Sequence, residues 1–158
     1  MGREKVSDPI RIKPAHPFKG WVFYWRGKIV ETKPKESLQG QVLIVDDDAQ
    51  TRVFLKEFLH SIGFSEVATA KDGTEALRQL EKSSFRLVLL DYMLPDLDGF
   101  ELLRRIKCRK PGLPVILMTA YPDISGMEEI IKEGALDLVV KPLDLRYLEQ
   151  TVMSSLAH

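Results

Sequence analysis

Residues 42–48 read VLIVDDD: Val42, Leu43, Ile44 and Val45 run directly into Asp46, Asp47 and Asp48, with no basic residue beside them. Four apolar residues rich in β-branched types are too few for a helix and match a strand buried on both faces. The acids at its mouth are the puzzle, because two carboxylates ~4 Å apart repel by about 4 kcal/mol at an effective dielectric of 20. Something cationic is therefore expected among them.

Outward from this stretch the same kind of run recurs at 87–90, 113–118 and 136–140, with a weaker one at 65–69. Helical patterns lie between. Val53, Phe54, Phe58, Leu59 and Ile62 recur at helical spacing, with Gly63 as a stop. Asp72 offers an N-cap, with Glu75 three residues on, before Ala76, Leu77 and Leu80. Leu97–Lys107, Ile124–Lys132 and Leu145–Leu156 supply three more. Strands that alternate with helices predict an α/β fold, a (βα)5 doubly wound domain with a parallel five-stranded sheet covered on both faces.

The lead is different in kind. Residues 1–40 carry nine basic and four acidic residues, net about +5, so the remainder of this neutral chain is about −5. Pro9, Pro14 and Pro17 give no regular structure to residues 1–20. WVFYWRGKIVE, residues 21–31, predicts a β-hairpin with Gly27 at a positive φ, and residues 32–40 read as a linker. The division expected is a basic N-terminal extension, 1–40, and one domain, 41–158. With 158 residues and 44% apolar content, two full domains are not expected. No apolar run approaches the ~20 residues of a membrane span and there is no secretory h-region, so a cytoplasmic location is expected. Cys108, the single cysteine, sits in the polar run KCRK and reads as a solvated helix residue.

In open α/β sheets, sites form beyond the carboxyl ends of the strands. Here the first strand ends in Asp46-Asp47-Asp48, the third in Asp91, the fourth in Thr119 and the fifth in Lys141-Pro142. Each residue alone has a plainer reading: Asp48 or Thr119 as a helix cap, Lys141 as a solvated charge. Four strands delivering polar groups to one edge is much more specific. An all-oxygen donor set with no His or Cys points to a hard divalent ion such as Mg²⁺. That ion favours a phosphoryl group, for which a carboxylate can be the nucleophile, with a lysine and a hydroxyl on the phosphoryl oxygens.

Taken together, VLIVDDD, LVLLDYMLPDLDGFELL, VILMTA and VVKPLD resemble, in order and spacing, the receiver domain of bacterial two-component response regulators, of the chemotaxis-regulator type, over roughly residues 41–157. The resemblance implies a flavodoxin-like strand order, with Asp91 as phosphoacceptor, Asp47 as direct Mg²⁺ ligand and Asp46 holding the ion mainly through water. It implies the Met93 backbone carbonyl as a further ligand, Thr119 as the switch hydroxyl beside the small Ala120, and Lys141 before a cis Pro142. Two departures stand out. Leu138 replaces the aromatic residue common three positions before the lysine, so the inward swing of a ring is not available. Met93 and Tyr121, at the positions that tune phosphoryl lifetime in the family, cannot orient an attacking water well, and a slow-decaying aspartyl phosphate is expected.

The function so implied is a phosphorylation-activated switch of a phosphorelay, taking its phosphoryl group from a histidine kinase or phosphotransfer protein and catalysing only its own modification. An effector would meet the fourth helix, fifth strand and fifth helix, about 124–156, although Leu145, Tyr147 and Leu148 could equally pack on the sheet. One competing reading is an aspartate-nucleophile phosphatase, which wants an acid two residues after the nucleophile where this chain has Met93. The other is an interaction module that never turns over phosphate, which would normally have lost Asp91, Lys141 or the acid pair. As the chain closes at His158, either a receiver acting through protein contact or an output role for the lead is expected. Nucleic acid is disfavoured against packing of Trp21, Phe23 and Trp25 on the domain or on a homodimer mate.

Overall fold

The computed structural model describes residues 10–12, 22–25, 28–31 and 38–157. They fall into two compact units, divided between Ser37 and Leu38.

The first unit holds an antiparallel sheet in the order β1-β2-β3, with β1 Ile10–Ile12, β2 Val22–Trp25 and β3 Lys28–Glu31. Trp25 pairs with Lys28, the register of a two-residue hairpin connection. Residues 26 and 27, and with them the φ expected of Gly27, lie outside the described residues. β1 corrects the expectation of no regular structure before residue 20. Ile10-Arg11-Ile12 gives only three residues of alternation, too short a signal to read, and the prolines on either side are compatible with a short edge strand.

The second unit is the alternating α/β domain. Its strands are β4 Leu38–Val45, β5 Phe64–Ala70, β6 Leu87–Asp91, β7 Val115–Thr119 and β8 Asp137–Val140. Its helices are α1 Ala49–Ile62, α2 Gly73–Lys82, α3 Gly99–Arg109, α4 Ile124–Lys132 and α5 Leu145–Ser155. All five strands are parallel, in the order β5-β4-β6-β7-β8. The alternation of side chains along them makes two cores. Leu43, Val45, Val88, Leu90, Val115 and Leu117 face Ala76, Leu80, Leu102, Leu103 and Ile106 of α2 and α3. Val42, Ile44, Leu87, Leu89, Ile116 and Met118 face Leu55, Phe58 and Leu59 of α1 and Leu148 and Val152 of α5. Both faces of the strands are thus covered, which is why they read as unbroken apolar runs.

β4 starts at Leu38, inside the stretch read as linker. Its register against β5 shifts between Leu38 and Gln41, and Gly40 there has φ 99°, so the glycine marks an irregularity within the strand and not its start. α3 starts two residues later than expected, because Asp98 caps it by accepting from Glu101 N at 2.7 Å. Asp72 caps α2 through Glu75 N at 2.8 Å, as expected. Cys108 is exposed on α3. Among the described residues no helix is long and apolar enough to cross a membrane.

Candidate functional site

β4 sits in mid-sheet, with β5 on one side and β6 on the other. The strand order therefore reverses between β4 and β6, and their carboxyl ends carry Asp46 and Asp91, where a crevice is expected.

Asp46 follows β4 and is 0% exposed. One carboxylate oxygen accepts from Asp48 N at 2.9 Å, the other from Lys141 Nζ at 3.0 Å, and its carbonyl accepts from Arg52 Nη1 at 2.7 Å. Asp91 closes β6, 6% exposed, and accepts from Met93 N at 3.3 Å. Asp47 is exposed. Each of Asp46, Asp47 and Asp91 brings one oxygen to within 4.8 Å of the others. Lys141, just beyond β8, lies 3.0 Å from Asp46 and 3.3 Å from Asp91 and is itself anchored by its N–H to the Thr119 carbonyl at 2.7 Å. The Lys141–Pro142 peptide is cis.

The cation expected among the acids is thus partly supplied by the chain. Three carboxylates against one ammonium leave a formal charge of −2, and the donors are all oxygen. This set fits a hard divalent cation, and Asp47 is its exposed member. Burial, and then the Asp46 charge, raise the Asp91 pKa above the ordinary carboxylate value, with Lys141 and the Met93 N–H opposing. Burial works against the Lys141 ammonium, but bonding to Asp46 and the charges of Asp46 and Asp91 outweigh it and raise its pKa.

Asp48 stands apart from the cluster. It caps α1, accepting from Thr51 Oγ1 at 2.7 Å and Gln50 N at 3.2 Å, and the Thr51 hydroxyl leads in lowering its pKa. Thr119 ends β7, buried, with its hydroxyl engaged by its own turn: it accepts from Tyr121 N at 3.1 Å and donates to Tyr121 O at 3.4 Å. Leu138, on β8, is buried in the core on the α2–α3 face of the sheet, while Met93 and Tyr121 are exposed on the loops after Asp91 and Thr119. A cavity between the C-terminal halves of α2 and α3, lined by Leu77, Leu80, Ile106 and Arg109, lies away from these strand ends and takes no part in the site.

Two residues near the site carried no sequence signal. Arg52 is one turn into α1, where its hold on the Asp46 carbonyl depends on where the helix starts. Asp96 lies in the loop after Asp91, and its carboxylate reaches Gly73 N and Thr74 N of α2, both at 2.9 Å, and Thr74 Oγ1 at 2.7 Å.

Fold and strand-end cluster together define a receiver-type domain, and comparison with known proteins gives the same class. Residues 42–153 match the family model for the response regulator receiver domain. The chain belongs to that family, a regulatory domain of two-component systems. It is similar to the transcriptional regulatory protein ZraR of Escherichia coli K12, at 40% identity over 117 residues, 74% of this chain and 26% of that protein. The DNA-binding transcriptional regulator NtrC of the same organism is 35% identical over 120 residues, 76% of this chain and 25% of that protein. This chain thus spans about a quarter of the length of those relatives. A CheY-like receiver domain from Methanospirillum hungatei superposes with a TM-score of 0.71 at 32% identity, covering 76% of this chain and 95% of its own. The receiver domain of the Francisella response regulator 1452 gives 0.69 at 29% identity, over 74% and 96%.

Proposed function

We propose that the chain is a phosphorylation-operated switch of a cytoplasmic phosphorelay, in which a basic extension, residues 1–40, precedes a receiver domain that accepts a phosphoryl group on Asp91. The observation that carries this reading is the meeting of Asp46, Asp47, Asp91 and Lys141 at the reversal of strand order.

An oxygen of Asp91 attacks the phosphorus of a phosphohistidine on a histidine kinase or phosphotransfer protein. The P–O bond forms as the P–N bond breaks, and the imidazole leaves with the electron pair and takes a proton. Asp46, Asp47, Asp91 and the Met93 carbonyl would hold Mg²⁺, which when bound neutralises phosphoryl charge. Lys141, already 3.3 Å from Asp91, is within reach of a phosphoryl oxygen. The Thr119 hydroxyl would leave Tyr121 and turn to another.

Output then requires a change of shape. Moving the equilibrium from 1:99 to 99:1 takes about 5.5 kcal/mol of preference for the active form, within reach of a doubly charged group that gains Lys141 and Thr119 as partners. The surface proposed for an effector, or for a second copy of the chain, is that of α4, β8 and α5, where Ile131, Val140, Leu145, Tyr147 and Met153 are exposed while Leu148 belongs to the core. The names of ZraR and NtrC favour transcription as the process controlled, with nucleic acid reached through an effector.

Incubation with a small acyl phosphate and Mg²⁺, read by intact mass, tests the reading. The wild-type chain should gain one phosphoryl mass and Asp91→Asn should not; a gain that survives the substitution overturns the assignment.

A further inference from the structure

We infer that Asp96 is a positioning residue for the metal site: its carboxylate ties the loop after Asp91 to the first turn of α2 and so fixes the Met93 carbonyl for the cation. The inference rests on the reading of the site given above.

The loop Tyr92–Asp98 connects Asp91 to α3. Its two ends are closed on each other, because Gly99 N donates to Tyr92 O at 2.7 Å. A Cβ on Gly99 would stand 2.6 Å from Tyr92 Cα and 2.8 Å from Asp91 O, so only glycine permits that closure. The middle of the loop, Met93 to Leu97, is held instead by Asp96. Its oxygens accept from Gly73 N and Thr74 N, each at 2.9 Å, and from Thr74 Oγ1 at 2.7 Å, across 22 to 23 residues of sequence. The two segments touch closely, since a Cβ on Gly73 would lie 3.0 Å from Leu97 Cβ and 3.3 Å from Asp96 Oδ1.

α2 does not need Asp96 as its own cap. Asp72 accepts from Glu75 N at 2.8 Å, and Glu75 accepts in return from Lys71 N at 3.1 Å. Asp96 takes the first two N–H groups and Asp72 the third, so one helix N-terminus, with its partial positive charge, is shared between a local cap and a distant loop. Met93 lies three residues before Asp96, with Pro95 restricting the chain between them. Mg²⁺ demands near-ideal octahedral geometry, so a carbonyl ligand that drifts with its loop binds poorly.

The test is calorimetric Mg²⁺ titration of the full chain, with the metal alone as probe. Asp96→Ala should weaken binding by about tenfold, as loss of an outer partner of a ligand does. Asp96→Asn, whose single amide oxygen can replace only one of the two carboxylate oxygens that accept from Gly73 N and Thr74 N, should recover part of it. Thr74→Val, losing one of the three bonds, should fall between. Asp72→Ala, which removes the bond to Glu75 N and leaves the three Asp96 bonds in place, should stay within about twofold of wild type. Because coupling is reciprocal, Mg²⁺ should slow amide exchange at Gly73 and Thr74 in wild type and lose that effect in Asp96→Ala. Wild-type affinity in Asp96→Ala, or an equal loss in Asp72→Ala, overturns the tie alone. A wild-type chain that takes up no Mg²⁺ overturns the reading of the site along with it.

Discussion

At the scale of single residues, the buried carboxylate of Asp91 works against the fold. Its folded pKa is raised above the value of 3.8 that it has when exposed, first by burial and then by Asp46. Between these two values the folded chain keeps a proton that the unfolded chain has lost, so stability falls as pH rises through that window and the penalty is complete above it. Asp91→Asn removes the charge. In chelator at neutral pH it should be more stable than wild type by roughly 1 kcal/mol, the water-like limit for two carboxylates ~4 Å apart. The advantage should vanish as pH falls toward 3.8, which urea denaturation at several pH values would follow; a less stable variant at pH 7 would contradict the account. Asp96 behaves oppositely. The Thr74 hydroxyl, with the Gly73 and Thr74 amides behind it, lowers its pKa to about 2, so its contribution is present above 3.8 and lost as pH falls toward 2. Met93 and Tyr121, both exposed, set a further expectation, since neither is an acid or amide of the kind suited to orient an attacking water. Replacing them together by Asn and Glu should speed loss of the phosphoryl mass at least severalfold, and loss within seconds in the wild type would refute the slow decay expected from the sequence. The acids, Thr119 and Lys141 were legible as strand-end residues because each directly follows an apolar run. Arg52 and Asp96 were not, because their bonds depend on tertiary placement.

At the scale of elements, two glycines separate close approach from propensity. Gly126 lies within α4, where a Cβ would meet nothing within 4 Å. Gly126→Ala should therefore stabilise the chain by about 0.5–1 kcal/mol, through backbone entropy and helix propensity. Gly99→Ala would press on the backbone of Tyr92 and Asp91, which cannot yield as a side chain can. It should destabilise by about 1–3 kcal/mol and weaken Mg²⁺ binding as well. Thermal melts with and without Mg²⁺ would separate the two effects. The interiors of β6 and β7 were easy to read, since strands buried on both faces leave no polar residue to break the run. Ends were harder: β7 starts at Val115, after Pro114 and not at Leu113, and α1 starts at Ala49, a full turn before its apolar period becomes visible. α5 resolves an ambiguity that sequence could not, because Leu148 packs under the sheet while Leu145, one turn before it, and the adjacent Tyr147 remain exposed.

At the scale of the whole molecule, three strands far apart in sequence, β4, β6 and β8, must join one sheet before the acids and the lysine meet. The cluster is thus a property of the folded state that the unfolded chain does not offer, and any cation bound there stabilises folding by mass action. Its formal charge of −2 is relieved by the same event, and that relief is part of the affinity. At a free Mg²⁺ concentration one hundred times the dissociation constant, binding contributes about 2.7 kcal/mol. For a chain of this size that corresponds to a rise in melting temperature of roughly 5–10 °C. Asp47 is the exposed member of the cluster, so Asp47→Ala should leave the metal-free melting temperature within a few degrees while abolishing the rise. Differential scanning calorimetry in chelator and in Mg²⁺ compares the two chains directly. An equal rise in Asp47→Ala would mean that the ion binds elsewhere, and the cluster at the reversal of strand order would then have to be read as a half-buried lysine paired with two buried acids and nothing more.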